Sequence, residues 1–98
     1  MKHAGATALA QLAEVLEQLR SVTDLTERKP GIFYRASTAF LHFHEDPAGL
    51  FADAKINGVG FERFPVSTRE EQRVLIQAVR TALLESKQNV RLIRNGYS

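Results

Sequence analysis

AFLHFHEDPAGLFADAKING, residues 39–58, holds two strand-like runs and the signals for two turns. Asp46-Pro47-Ala48-Gly49 fits a type I turn, with Asp at its first position, Pro at its second and Gly at its last. Asn57-Gly58 is the strongest short hairpin signal, because both residues tolerate the positive φ of a type I′ turn. If Asp46 and Gly49 close the first hairpin, His44 sits opposite Phe51, His42 opposite Asp53 and Leu41 opposite Ala54. A one-residue slip would set Phe43 against Asp53 and Leu41 against Lys55, mixing apolar and charged side chains on both faces. The unslipped register is therefore expected. Around Asn57-Gly58 the same reasoning pairs Ile56 with Val59, Ala54 with Phe61 and Asp53 with Glu62.

Outward from this hairpin the period-2 pattern extends over 31–66, through IFYR before it and GFERF after it, with Arg35-Ala36-Ser37-Thr38 as a further turn. Helical spacing flanks it on both sides. Leu9, Leu12, Leu16 and Leu19, widened by Ala8, Val15 and Val22, predict a helix over 8–22 with Thr7 as its N-cap. SVTDLTERKPG then reads as a charged connection, ended by Pro30-Gly31. Ser67-Thr68-Arg69-Glu70 predicts a capping box, followed by a stripe of Leu75, Ile76, Val79, Ala82 and Leu83 to about residue 86.

The expected fold is α+β: a two-layer sandwich of order α-β-β-β-β-α, an antiparallel four-stranded meander with both helices on one face. A chain of 98 residues suits a single domain, 1–98, with 1–6 as a mobile N-terminus and 87–98 as a tail or an extra short strand. No cysteine is present, which excludes disulfide, thiolate and cysteine–zinc chemistry. Gln11, Glu14, Glu17 and Gln18 interrupt any signal-peptide core, and no window approaches a membrane span. A cytoplasmic location follows as the default. The net charge of +2 gives no general argument for nucleic acid.

In this register one sheet face carries Ile32, Tyr34, Ala39, Leu41, Phe43, Ala52, Ala54, Ile56, Val59 and Phe61, and it is the face for the helices to cover. Arg63 falls there too and does not fit. The opposite face carries Phe33, Phe40, His42, His44, Phe51, Asp53, Lys55, Glu62 and Phe64. An exposed sheet face is usually polar, and this one is half aromatic.

The run KPGIFYRASTAFLHFHEDPAGLFADAKINGVGFERFPVSTREEQRVLIQAV, 29–79, resembles a family of small uncharacterised bacterial proteins. The helix–meander–helix order is similar to that of the YjbR/YdhG group, whose layout is related to frataxin and CyaY. The resemblance implies a fold and carries no catalytic motif. Frataxin's iron binding uses an acidic first helix, whereas residues 8–22 hold only Glu14 and Glu17, offset by Arg20. An iron-chaperone role is therefore not implied.

Four functional readings follow from the outer face. Its aromatic row of Phe33, Phe40, Phe51 and Phe64 is an expected partner surface, making the chain a small binding module, a homodimer or a partner for another protein, with no cofactor. Alternatively, His42 and His44 share a strand face about 6.6 Å apart, a workable separation for two imidazoles on one divalent metal. Asp53, as third ligand, and Glu62 lie beside His42 in the expected row. Nucleic acid is a third reading, from Lys87, Arg91 and Arg94 and base stacking on the aromatics, but Asp53 and Glu62 would repel phosphate. Catalysis is the least supported, for no phosphate loop or Ser/His/Asp motif occurs and only His42 beside Asp53 offers an acid–base pair.

Overall fold

The structure is a computed structural model that describes residues 2–96 of the chain, with side chains through residue 86. Its elements run β1 (Lys2–His3), α1 (Ala6–Gln11), α2 (Ala13–Arg20), β2 (Thr26–Lys29), β3 (Ile32–Arg35), β4 (Thr38–Asp46), β5 (Gly49–Ala54), β6 (Glu62–Pro65) and α3 (Arg69–Gly96). The fold is α+β, as expected, but the antiparallel sheet has six strands rather than four. Its order is β2-β3-β4-β5-β6, with β1 also paired to β4.

The two added strands come from segments without strand-like residues. Thr26–Lys29 is polar and charged, the composition by which an edge strand avoids further pairing. Glu27 secures it: the carboxylate pairs with Arg20 of α2 and accepts the Gly31 N–H at 2.9 Å, across the turn where Gly31 has φ +77°. Lys2–His3, expected to be mobile, is placed by tertiary pairing, with Lys2 opposite Glu45 and His3 opposite His44. The Phe43 N–H donates to Gly31 and the Phe43 carbonyl accepts from Ala4, so β1 continues along β4 where β3 stops. Glu45 clips the segment, accepting the Gly5 N–H at 2.8 Å and lying 3.4 Å from Lys2 Nζ.

The expected first helix is divided at Leu12, whose φ of −96° and ψ of 8° interrupt the helical run. It begins at Ala6, so Thr7 lies inside α1 and Gly5 is the N-cap. The expected capping box is shifted by one residue. Thr68 and Glu71 exchange the reciprocal bonds, Glu71 N–H to Thr68 Oγ1 and Thr68 N–H to Glu71 Oε1, while Ser67 Oγ accepts the Leu50 N–H. Where 87–98 was expected as a tail or strand, α3 continues as helix to Gly96.

The β4–β5 register is the expected one at every position, from Leu41 opposite Ala54 to Asp46 opposite Gly49. Two other registers differ. Between β5 and β6 a seven-residue connection replaces the tight turn, with the Asn57 side chain accepting from Val59 and Gly60. Asp53 then pairs with Arg63, not Glu62, and Ala54 with Glu62, not Phe61. One residue of slip flips every β6 side chain, which carries Arg63 off the core face and Phe64 onto it. Between β3 and β4, Phe33 faces Leu41 and Tyr34 faces Ala39, leaving Phe40 as the extra residue of a bulge. A bulge breaks strict alternation. Phe33 and Phe40 are accordingly core residues, 0% and 4% exposed.

One core gathers Leu12, Val15, Leu16 and Leu19 from the first helical segments, Leu75, Ile76, Val79 and Leu83 from α3, and Phe33, Phe40, Leu41, Phe43, Ala52 and Ala54 from the sheet. The alanines leave room for close approach. Among the described residues no helix is long and apolar enough to cross a membrane.

Candidate metal centre

Strand β4 presents His42 and His44 on the face turned away from Leu41 and Phe43, because alternate residues of a strand share a face. Strand β1 adds the third imidazole by placing His3 opposite His44. The ring centroids lie 4.4 Å apart for His42–His44, 5.2 Å for His3–His44 and 5.8 Å for His3–His42. One nitrogen from each ring falls within 4.8 Å of the others. All three histidines of the chain thus meet at one point. Around a tetrahedral ion with metal–nitrogen bonds of about 2.0–2.1 Å the nitrogens stand roughly 3.4 Å apart. Histidine χ2 is a soft, broadly populated torsion, which leaves ring rotation available to narrow that gap.

Each ring keeps a distinct environment. His3 is exposed, and His42 and His44 are half-buried. His42 Nδ1 and both nitrogens of His44 lie out of solvent without a hydrogen-bond partner in the protein. His44 Nε2 does approach Asp53 Oδ2 to 3.2 Å, a contact distance without the alignment of a formed hydrogen bond. Buried polar atoms left this way carry a desolvation cost that a bound ion would relieve. Burial, reinforced for His42 by the neighbouring His44, lowers the pKa of both imidazoles against the opposing pull of Asp53. Both shifts favour the neutral imidazole, the form that ligates metal.

The expected site residues divide. Asp53 lies opposite His42 as expected, but its carboxylate is taken: Arg63 Nε donates to Oδ1 at 2.9 Å and Nη2 to Oδ2 at 3.0 Å. That hydrogen-bonded guanidinium holds the Asp53 pKa below its ordinary value, against the cost of burial. The three-residue cluster among the described residues has His3 where Asp53 was expected. Glu62 pairs with the core residue Ala54 and is exposed, so the expected Asp53–Glu62 repulsion does not arise.

The expected aromatic row does not form. Phe33 and Phe40 are inside, and Phe64, opposite Ala52, packs against the core. Phe51 stays opposite His44. Phe61, assigned to the core from the sequence, is instead 46% exposed and stacks edge-on with His42, ring centroids 4.9 Å apart, with Lys55 Nζ 5.3 Å from its centroid. The side chains of Lys87, Arg91 and Arg94, which carried the nucleic-acid reading, lie outside the described residues.

Two participants went unread in the sequence. Arg63 had a signal, its misfit on an apolar face. His3 had one too, since Lys2 beside it complements Glu45 in charge, but a two-residue strand has no periodicity to expose it.

No family model, curated protein or solved structure matches this chain. The functional reading rests on the geometry of the site.

Proposed function

We propose that this domain binds one divalent transition-metal ion through His3, His42 and His44. The observation that carries the reading is the convergence of three imidazole nitrogens within 4.8 Å on one sheet face. Imidazole donors suit zinc, copper, nickel and cobalt, whereas magnesium and calcium prefer oxygen ligands. The converging donors found among the described residues are all imidazoles, and Arg63 bonds the nearest carboxylate, Asp53.

A partner interface on this face receives less support. With Phe33 and Phe40 inside, Phe61 is the large exposed apolar residue set against the histidines among the described residues.

The test is calorimetry with Zn²⁺ on chelator-stripped protein carrying no affinity tag. One ion per chain is expected for the wild type, with binding lost in His42→Ala and in His44→Ala. Equal uptake by the wild type and by a His42→Ala/His44→Ala double variant would remove the reading.

A further inference from the structure

The position of Asp53 assigns it work beyond an ion pair. We propose that Asp53, clamped by Arg63, is a positioning residue of the metal centre: it holds His44 as the Nε2–H tautomer, leaving Nδ1 as the donor to the ion. This rests on the metal-binding reading above. The guanidinium grips both carboxylate oxygens, at 2.9 and 3.0 Å, and such a two-pronged contact fixes the plane of the carboxylate as well as its place. A carboxylate has about four acceptor positions, and the clamp uses two. Oδ2 keeps capacity for another donor, and His44 Nε2 is the ring nitrogen 3.2 Å from it. The other ring nitrogen, Nδ1, is buried without an aligned hydrogen bond, and the Lys2 backbone is a second acceptor near this ring. One nitrogen of His44 therefore faces an anchored acceptor, and the other is left for the ion.

A carboxylate behind a metal-bound imidazole fixes the ring and raises its basicity. Register makes the arrangement possible. His42, Asp53 and Arg63 form one cross-strand row of β4, β5 and β6, and His44 is two residues along β4 from that row.

Two measurements test the inference. In uniformly ¹⁵N-labelled, metal-free wild type in mildly alkaline buffer, long-range ¹H–¹⁵N correlations should show His44 protonated at Nε2. In Co²⁺ titrations followed by the visible d–d bands, Asp53→Asn should weaken affinity about 10- to 100-fold, the range typical of second-sphere changes. Arg63→Gln, which loosens the carboxylate and retains it, should weaken affinity by less. An Nδ1–H tautomer at His44, or Asp53→Asn binding as tightly as wild type, would overturn the positioning role and leave the three-histidine site standing. A wild type that binds no Co²⁺ would overturn both. The tautomer measurement needs no variant, so an unfolded Asp53→Asn cannot shelter the proposal.

Discussion

Phe33 and Phe40 show how much one residue's orientation decides. Strict alternation along β3 and β4 puts both rings in solvent, where they read as a partner surface. A single bulge residue reverses that, and both become core, 0% and 4% exposed. Two different experiments separate these states. Phe33→Ala should destabilise the domain by about 3–5 kcal/mol, the usual cost of emptying a buried aromatic site. Phe40→Glu should unfold it, since the carboxylate would be buried without a partner. Chemical denaturation followed by circular dichroism reads both, and near-wild-type stability in either variant would return these rings to the surface. The bulge itself left no mark in the sequence, because nothing local distinguishes a strand residue that pairs from one that is skipped.

At the scale of elements, legibility followed turn chemistry. Asp46-Pro47-Ala48-Gly49 dictates its own geometry, and the β4–β5 register matched the expected one, placing His42 beside Asp53. Asn57-Gly58 had a strong local preference as well, yet β5 stops at Ala54 and the turn widens into a loop. Tertiary demand outweighed it: the shifted register sends Phe64 to the core and pairs Arg63 with Asp53. The β2 strand is an extreme case, polar in sequence and held by the contact of Glu27 with Arg20 and Gly31.

Those contacts give β2 a pH signature. The Arg20 hydrogen bond holds the folded-state Glu27 pKa below its ordinary value, and the Gly31 N–H acts in the same direction against partial burial. The stability this contributes is fully present above the unfolded-state value, about 4.3, and is lost as pH falls through the lower folded-state value. Glu27→Gln should flatten that part of the acid-stability profile in thermal melts. An unchanged acid slope would show that Glu27 does not anchor the edge strand.

Across the whole molecule, the candidate centre is assembled from segments far apart in the chain. His42 and His44 come from the middle of the sheet, His3 from a two-residue strand, and the Asp53–Arg63 clamp from β5 and β6. The sequence made two of the three imidazoles visible through their i, i+2 spacing. The third was hidden because its place depends on Glu45 and Phe43, some forty residues away. The most direct test of the assembled centre is anomalous diffraction at the zinc absorption edge, from crystals grown with one equivalent of zinc. A single strong peak bonded to His3, His42 and His44, at about 2.0–2.1 Å from each ring nitrogen, is the predicted result. A zinc site elsewhere, or a peak on His42 and His44 with His3 turned away, would contradict the account.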